Sequence, residues 1–390
     1  MRVVAVCESP PSLDGRHGNG STSITCQVLR RLPDDLDIDL AYFNDRPVPV
    51  DARVVERCRS VIRLPMRSAG VALAAQPLSH LPRATWQRSS RSAKRSLTTL
   101  AAGADVAYLH GLHTFALGSD LEVPIVANEI DPWSVFWRSR AASRSGSAAR
   151  YDRLQAERAR ALEWSMGQKA AAYVLVSDRD ATALSEQIDV PVTSVPIGVD
   201  IRDFRERDHD AVDPDLVVFV GSLDYAPNIT AVDALVADVY PLLRTRRPST
   251  RLLIAGRRPS ERVVALAGDG VEVEGDVADV GALFRRAAIA VSLGSQGQGT
   301  KNTLLEALAS GCPVVASAHS ARGLPTGQHL TVVEGTEAAA ESIAALLDDT
   351  ARRRTAGIAA RRAATSLPGW DGVAARYASL LRRAAGGMLP

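Results

Sequence analysis

The chain has 390 residues, of which 46% are hydrophobic and 23% are charged, and its formal net charge is +2. This length allows two or three domains with separate cores, and the composition excludes a disordered chain. A dedicated nucleic-acid-binding protein is disfavoured, because such proteins usually carry a strongly basic domain. No run of about 18 apolar residues is present, so the sequence predicts no membrane-spanning helix.

The first half of the chain alternates short apolar runs with longer segments of helical periodicity. The predicted strands are RVVAVC, DIDLAYF, DVAYLH, PIVANEI and AAYVLVS, and the clearest predicted helices are STSITCQVLRRL and YDRLQAERARALEWSMGQKA. This alternation is typical of parallel strands joined by crossover helices. Asp37 and Asp39 are spaced like a metal-binding pair, but in an alternating strand we expect both to point to solvent.

The second half repeats the pattern, with predicted strands DLVVFVGS, RLLIAG, VEVEG, IAVSLG and PVVASA. The polar stretch 201–214 separates the two halves and is the best candidate for a linker. We therefore predict an α/β protein with two doubly wound, Rossmann-like domains. Facing each other, they would place the carboxyl ends of both sheets across one central cleft, where such sheets bind ligands.

The amino terminus and the cysteines indicate the compartment. MRVVAVCESPP has the pattern of a strand and a turn, without the features of a signal peptide. The four cysteines are scattered and form neither a C-x-x-C pair nor a zinc pattern. We expect a cytoplasmic protein, and no metal site or cofactor.

The segment GSQGQGTKNT, residues 294–303, lies between a predicted strand and a predicted helix. It matches neither a Walker A loop nor a dinucleotide fingerprint. Its glycines, Lys301 and the helix start nevertheless favour an anion site, most plausibly for a diphosphate. The alternative is a tight turn with Lys301 in solvent. Glu306 has two interpretations: a capping box with Thr303, which the spacing slightly favours, or a carboxylate that binds both hydroxyls of a ribose.

Four segments in order, FVGSLDYAPN, LLIAG, VEGDVADVGALFRRAAIAVS and GQGTKNTLLEALASGCPVVAS, resemble the donor domain of family 4 glycosyltransferases with the GT-B fold. SPPSLDGRHGNGSTSITCQVLRRL and NEIDPWSVFW resemble the first domain of sugar transferases from polysaccharide loci. The resemblance covers nearly the whole chain. It implies an acceptor-binding domain over 1–200, the linker 201–214, a donor-binding domain over 215–370, and a C-terminal helix within 371–390 that packs back on the first domain.

The resemblance also implies a retaining, metal-independent transfer of a sugar from a nucleotide diphosphate sugar, UDP most plausibly. Glu306 would bind the ribose, and a segment including the helix start would bind the diphosphate. Arg257, Gly221 and Ser222 would border the nucleotide, and the backbone near Val277 would contact the base. The remaining implied donor-site residues are Gly297, Gln298, Gly299, Thr300, Lys301 and Asn302 in the second half, and Gly18, Asn19 and Gly20 in the first.

Two positions of the loop depart from the family. Gln298 stands where an acid often holds the sugar hydroxyls, and Thr303 stands where a lysine is usual. We therefore assign stabilisation of the leaving group to Lys301.

On the acceptor side, Asp131 follows the strand PIVANEI and is the first candidate for a carboxylate that orients the acceptor hydroxyl. The alternative for Asp131 is an N-cap of the following helix. Glu129 is the second candidate. His110 and His113 follow a strand, where we expect structural roles.

Two basic runs stand out. From Arg57 to Ala104 there is no acidic residue but nine basic ones, ending at Arg95 in a lysine- and arginine-rich helical pattern. A second run holds Arg138, Arg140, Arg144 and Arg150. Arg57–Arg95 predicts a contact with an anionic membrane surface or an acidic acceptor, and the alternative is a solvated helix face.

The leading hypothesis is a glycosyltransferase acting on a saccharide, a lipid-linked sugar or a small natural product. The same scaffold also suits a nucleotide-sugar epimerase or hydrolase. A non-catalytic partner subunit is the third hypothesis, and it follows from Gln298 and Thr303.

Overall fold

The computed structural model describes residues 1–14, 20–74, 79–189, 192–295 and 300–387. The chain divides into two compact units. The first contains residues 1–197 and 370–390, and the second contains residues 198–369. Each unit has its own sheet and its own hydrophobic core.

The first unit is built on a seven-stranded parallel sheet, counted over the described residues, in the order β3-β2-β1-β4-β5-β6-β7. Its strands are β1 (Arg2–Cys7), β2 (Asp37–Phe43), β3 (Cys58–Leu64), β4 (Val106–His110), β5 (Ile125–Ile130), β6 (Ala172–Leu175) and β7 (Val192–Ser194). The central strands are buried and consist largely of Val, Ile, Leu and Ala, as expected where helices cover both faces of a parallel sheet.

The helices of this unit follow the strands as crossovers. They are α1 (Gly20–Leu29), α2 (Ala52–Arg57), α3 (Ala69–Ala74), α4 (Arg83–Arg88), α5 (Arg91–Ala101), α6 (Leu112–Gly118), α7 (Trp133–Ala142), α8 (Gly146–Lys169) and α9 (Asp178–Ile188). A C-terminal helix of the chain, α17 (Trp370–Ala385), packs on α1, β4 and β5 of the same unit. Tyr377 anchors α17 there, with its ring 5.6 Å from that of Tyr108.

The second unit has a six-stranded parallel sheet, counted in the same way, in the order β10-β9-β8-β11-β12-β13. Its strands are β8 (Asp213–Val220), β9 (Arg251–Gly256), β10 (Val271–Gly275), β11 (Ala287–Ser292), β12 (Val314–Ser317) and β13 (Leu330–Val333). Its helices are α10 (Ala226–Ala234), continued by a π-helical turn (Leu235–Val239), α11 (Tyr240–Arg246), α12 (Glu261–Val264), α13 (Val280–Arg286), α14 (Asn302–Ala309), α15 (Thr336–Asp348) and α16 (Thr350–Thr365). Both sheets therefore have a Rossmann-like strand order.

The stretch 201–214, predicted as a linker, is built into the second unit. Arg207 is buried, and its guanidinium donates to the carbonyl oxygens of Phe284, 3.3 Å, and Gly311, 3.1 Å. These carbonyls lie near helix ends and need donors, since the last carbonyls of a helix have no intrahelical partner. The polar sequence of this stretch gave no sign of the packing, because Arg207 contributes through hydrogen bonds from its guanidinium rather than through buried apolar surface.

Each of the ten predicted strands coincides with an observed strand, with ends that differ by a few residues. The sequence analysis missed β3, β7 and β13. β3, β7 and β13 are all edge strands of the described sheets. β3 carries Arg59 and Arg63, and the other two are only three and four residues long. Edge strands are half-covered, so their apolar signal is weak.

Asp39 corrects a prediction. We expected Asp37 and Asp39 to point to solvent, but Asp39 is fully buried while Asp37 is exposed. Its carboxylate accepts hydrogen bonds from Arg2, 2.7 Å, Arg59, 2.8 Å, and Ser60. Burial raises the pKa of Asp39, but these donors outweigh burial and hold the pKa below its usual value.

A helix must be both long and apolar to span a lipid bilayer. In the described ranges, no helix is both long and apolar enough to cross a membrane.

Asp39→Asn should destabilise the first unit by about 3 kcal/mol, because it leaves two guanidinium groups without their shared carboxylate. Asp37→Asn, at the exposed start of the same strand, is the matched control and should cost little. Chemical denaturation of both variants at neutral pH measures the difference. Since folding lowers the pKa of Asp39, its carboxylate stabilises the folded state at neutral pH, and this stabilisation disappears on acidification. Equal stabilities of the two variants would contradict this account.

Candidate active site

The strand order of the second sheet reverses between its two central strands, β8 and β11. From β8 the sheet continues through β9 to β10 on one side, and from β11 it continues through β12 to β13 on the other side. At such a point the loops at the carboxyl ends diverge and leave a crevice for a ligand. Gly221 and Ser222 follow β8, and the segment leading to Lys301 follows β11. Three predicted residues of that segment, Gly297, Gln298 and Gly299, lie outside the described residues.

The backbones at the ends of β8 and β9 approach each other closely. Gly256 has φ of 151°, and a Cβ there would lie 1.7 Å from the carbonyl oxygen of Gly221. The Asn228 amide donates to the carbonyl oxygen of Ser222, 3.1 Å, and Arg257 Nε donates to Ser222 Oγ, 2.9 Å. The Arg257 guanidinium is thereby placed at the carboxyl edge of the sheet, directly beside Ser222.

The loop after β11 is tied to the loop after β12. Ser317 Oγ donates to the carbonyl oxygen of Gly294, 2.6 Å, and Ser320 Oγ lies 3.4 Å from the same oxygen. Thr300 packs against Gly323, where φ is 74° and a Cβ would lie 2.2 Å from Thr300 Oγ1. The sequence analysis missed these supporting residues, because serine and glycine after a strand are common turn residues.

The start of α14 corrects the capping prediction. The N-cap is Lys301, without a side-chain cap, and the helix begins at Asn302. Thr303 is therefore inside the helix and cannot form a capping box with Glu306. The carbonyl of Lys301 accepts from Leu304 N, 3.0 Å, so the N–H groups before Leu304 are the ones that a helix start leaves without an intrahelical partner.

The side chains of Lys301, Asn302 and Glu306 at this helix start are half-buried. Burial raises the pKa of Glu306 to about 7 and lowers the pKa of Lys301. Among the residues that the structure describes, no charged or hydrogen-bonding group contributes to either shift. Asn302 Oδ1 is also buried without a hydrogen-bond partner in the described ranges. Buried polar groups are costly when nothing satisfies them, and a polar ligand would relieve the cost.

Val277 follows β10 at the same edge of the sheet. The preceding Asp276 has φ of 52°, and its N–H donates to the carbonyl oxygen of Gly256, 2.8 Å. β10 lies two strands from β8, which corresponds to roughly 10 Å at the usual strand spacing. Val277 is therefore placed farther along the edge than Ser222 and Arg257.

The first sheet also reverses its order, between β1 and β4. Glu8 follows β1 and Gly111 follows β4, and a Cβ at Gly111, where φ is 90°, would lie 2.1 Å from Glu8 Cδ. Ser21 Oγ donates to Glu8 Oε1, 3.3 Å, while Glu8 Oε2 is buried without a partner in the described ranges. Burial raises the pKa of Glu8, although Arg88 opposes the shift. The sequence analysis missed Glu8, because a lone acid in a turn carries no pattern.

Of the predicted residues in the glycine loop of the first domain, Gly18 and Asn19 lie outside the described residues. Gly20 is exposed and begins α1, with open space around its Cα.

Both histidines are buried and have protein partners. His110 Nε2 is 3.1 Å from Ser21 Oγ, and its Nδ1 is 3.1 Å from the Tyr108 hydroxyl oxygen. His113 Nδ1 is 3.0 Å from Thr85 Oγ1. Burial lowers the pKa of His110 to about 4 and lowers the pKa of His113 further below its usual value, so both rings are neutral at pH 7.

Asp131 is not the N-cap of α7, which corrects the alternative interpretation. The N-cap is Pro132, and Asp131 Oδ1 is buried without a hydrogen-bond partner in the described part of the chain. Burial, followed by the charge of Asp180, raises the pKa of Asp131 to about 7. The preceding Ile130 has φ of 71°, which is strained for a β-branched residue. The chain thus holds a desolvated carboxyl group at the carboxyl edge of the first sheet.

Glu129 has a structural environment. Its Oε1 accepts from Trp133 N, 3.0 Å, and its Oε2 accepts from the Tyr173 hydroxyl, so it caps the start of α7. Glu163 accepts from Ser134 N, 2.8 Å, at the same helix start. Burial and the neighbouring carboxyl group raise the pKa of Glu129, and burial raises that of Glu163. Glu129 is only 2% exposed, which leaves it little access to an acceptor.

The second unit matches a known protein family. Residues 214–349 match the family model described as Glycosyl transferases group 1. The second domain is a group 1 glycosyl transferase domain. Comparison with curated proteins gives no match.

Solved structures match nearly the whole chain. Sucrose-phosphate synthase from Thermosynechococcus elongatus has a TM-score of 0.74 at 18% identity, with 99% of this chain and 100% of that chain covered. Anabaena HepE in complex with UDP-glucose has a TM-score of 0.68 at 14% identity, with 98% and 99% covered. S. aureus TarM with fondaparinux, α-GlcNAc-glycerol and UDP has a TM-score of 0.66 at 10% identity, with 97% and 99% covered. The GT-B fold predicted from the sequence is confirmed.

Glu163→Gln should raise the melting temperature more at about pH 8 than at about pH 5. Because the pKa of Glu163 is raised, the folded state favours its protonated carboxyl group. The stabilisation that Glu163 provides is therefore present at low pH and is lost as pH rises. The amide carbonyl that this substitution introduces keeps an acceptor for Ser134 N, so we expect the gain in melting temperature to appear above neutral pH. Glu157→Gln, on the exposed side of α8, is the control. An equal gain at both pH values would overturn the assignment.

Proposed function

We propose that this protein is a retaining, metal-independent glycosyltransferase that uses a nucleotide diphosphate sugar, with UDP as the first nucleotide to test. The proposal rests on Glu306, a carboxyl group whose pKa is raised by burial. It lies five residues into α14, the helix that follows β11 where the strand order of the group 1 domain reverses. A ribose would offer this carboxylate two hydroxyl donors. Binding would then supply the hydrogen bonds that burial removes.

The diphosphate site is proposed at the start of α14. The first N–H groups of the helix and the Lys301 ammonium offer positive charge, and Thr300 and Asn302 offer short polar groups. Gly297, Gln298 and Gly299 complete the glycine loop in this proposal. Since Lys301 is desolvated, its charge acts on the leaving phosphate with little screening. Such positioned cations support the metal-independent part of the proposal.

The rest of the nucleotide would follow the carboxyl edge of the sheet. Gly221, Ser222 and Arg257 border the crevice, and the backbone near Val277 lies farther along the edge, where the base is proposed. UDP is chosen because the HepE and TarM structures are described as complexes with UDP or UDP-glucose. The sugar itself stays open.

In the reaction, the acceptor oxygen forms a bond to the anomeric carbon, and the bond from that carbon to the diphosphate breaks. We propose Asp131 as the carboxyl group that orients the acceptor hydroxyl. Its pKa of about 7 leaves it partly ionised near neutral pH, so it can accept the hydroxyl's hydrogen bond. The acceptor is proposed to be a saccharide, a lipid-linked sugar or a small natural product. The solved TarM complex holds fondaparinux and α-GlcNAc-glycerol beside UDP.

A peripheral contact through Arg57–Arg95, at an anionic membrane or an acidic acceptor, stays a prediction, as does a cytoplasmic location. The structure divides this run between internal and exposed roles. Arg57 donates to the carbonyl of Leu36, 2.9 Å, and Arg88 pairs with Asp45, 2.7 Å. Arg63, Arg91 and Arg95 are exposed. Arg59 is also exposed but is paired with Asp39, so the contact would involve Arg63, Arg91 and Arg95 rather than the whole run.

Glu306→Gln tests the ribose assignment when UDP is compared with deoxy-UDP. The unaltered protein should bind UDP roughly tenfold more tightly than deoxy-UDP, because the carboxylate accepts from the 2′-hydroxyl, and the variant should lose this preference. Calorimetric titration in EDTA measures both affinities and tests metal independence together. UDP affinity of the unaltered protein should also rise between about pH 6 and pH 8, since binding favours the ionised carboxylate.

The exposed Glu337→Gln is the matched control for Glu306→Gln and should keep the preference for UDP. An unchanged preference in Glu306→Gln would remove the ribose assignment. Failure to bind UDP, GDP or TDP at all would remove the proposed function.

Lys301→Ala and Asp131→Asn should distinguish the proposed role of Lys301 at the leaving diphosphate from the proposed role of Asp131 at the acceptor hydroxyl. Lys301→Ala should weaken UDP binding and slow transfer by roughly two orders of magnitude, since it removes a cation at the developing phosphate charge. Asp131→Asn should slow transfer while leaving UDP affinity unchanged. Product formation from a panel of donors and a cell extract, followed by mass spectrometry, measures transfer. Donor turnover without acceptor would favour the epimerase or hydrolase, and unchanged pathway flux in Lys301→Ala would favour the non-catalytic subunit.

A further inference from the structure

The helical layer of the first domain contains a cavity that the proposed reaction does not use. It has a volume of about 610 Å³ and lies among α4, α5, α6 and α8. This volume is in the range of sites for small organic ligands. Neither Asp131 nor Glu8 lines it.

Four cationic side chains line the cavity: Arg67, Lys94, Arg158 and Lys169. Within the part of the chain that the structure describes, no carboxylate is among the lining residues. The two lysines converge on the end of α6. Lys94 Nζ is 3.2 Å from Ser119 Oγ, and Lys169 Nζ donates to the carbonyl oxygen of Ser119, 2.7 Å.

Asp120 only partly balances this charge. It pairs with Lys94 Nζ at 2.9 Å, and Lys94 and Lys169 both lower the pKa of Asp120. Arg67 and Arg158 are half-buried, and burial lowers the pKa of each guanidinium. An anion placed among these cationic side chains would be attracted to each of them.

The remaining wall is mixed: part of it is apolar and aromatic, and Ser79, His80, Ser89, Ser119 and Ser165 also line the cavity. Phe115, Leu162 and Met166 line it, and these three residues are 1%, 8% and 3% exposed. Trp86 lines the cavity beside Arg67, whose guanidinium carbon lies 4.0 Å from the centre of the indole ring. A site for a bare inorganic anion has no use for this wall. The combination fits a molecule with an anionic head and an apolar body.

The lysine end of the cavity lies away from the carboxyl edge of the sheet. α6 starts after the carboxyl end of β4 and runs toward the start of β5, so Ser119 lies near the opposite edge. Lys169 ends α8, shortly before the start of β6. The lysine pair is therefore distant from Gly111 and Asp131, which follow the carboxyl ends of β4 and β5.

We propose that this cavity binds an amphiphilic phosphate, in which a phosphate or diphosphate head is joined to an apolar chain or ring. The head lies between Lys94, Lys169 and Arg158, and the body packs on Phe115, Leu162 and Met166. The indole of Trp86 and the stacked Arg67 close the other side. The ligand could be a lipid headgroup at a membrane or a soluble amphiphile, because the recognised chemistry is the same. This site goes beyond the proposed sugar transfer.

Titration of the whole protein with decyl phosphate, kept below its micelle concentration, tests the site. We expect saturable binding, weakened roughly tenfold or more in the double variant Arg158→Gln with Lys169→Gln, because charge-assisted contacts are lost. Arg153→Gln with Arg160→Gln removes the same charge from the exposed side of α8 and should leave the affinity unchanged. UDP affinity should be the same in all of these proteins, so failure here is distinguishable from failure of the proposed function.

Inorganic phosphate and vesicles complete the test. Inorganic phosphate should bind much more weakly than decyl phosphate, since it cannot use the apolar wall. Vesicles of phosphatidylcholine with phosphatidylglycerol assign the source: sedimentation that depends on Arg158 and Lys169 indicates a lipid headgroup, and decyl phosphate binding without sedimentation indicates a soluble amphiphile. Absence of saturable decyl phosphate binding, equal weakening by the control pair, or equal affinity for inorganic phosphate would overturn the proposal.

Discussion

The reversal of strand order in each parallel sheet is the constraint on which the candidate site depends. Parallel strands joined by crossovers bring all their carboxyl ends to one edge, and at the reversal the neighbouring loops diverge. In the second sheet this constraint brings together Ser222 after β8, Arg257 after β9 and Lys301 after β11. In the first sheet it brings Glu8 and Gly111 into contact. Residues that are far apart in sequence thus become neighbours because the strands that carry them are adjacent in the sheet.

Whether a buried carboxyl group has partners separates structural acids from candidate ligand-binding acids. Asp39 receives donors from Arg2, Arg59 and Ser60, and its pKa falls below the usual value despite complete burial. Glu306 and Asp131 are also desolvated, but their pKa values rise to about 7. A protein gains nothing by burying a polar group that remains unsatisfied, so such groups indicate where a ligand supplies the missing donors. Each of these two acids lies at the carboxyl edge of its sheet.

The sequence predicted the central strands well, because strands covered on both faces read as continuous apolar runs. It missed β3, β7 and β13, where edge positions and short lengths weaken that signal. For the helix after β11, it gave slight preference to a Thr303–Glu306 capping box that the structure rules out, since the helix begins one residue before Thr303. The roles of Lys301 and Glu306 in binding stay predictions. A local pattern such as S/T-x-x-E does not determine where a helix starts when tertiary packing can move that start by a turn or less.

The sequence by itself determined the fold class and the group 1 glycosyl transferase domain, because these follow from local apolar runs and ordered motifs. Only the tertiary structure decided which side chains are desolvated and which have partners. Asp37 and Asp39 occupy equivalent places in an alternating pattern, yet one is exposed and the other is paired with two arginines. Burial and pairing depend on residues from distant segments, and no local pattern records which distant segments meet.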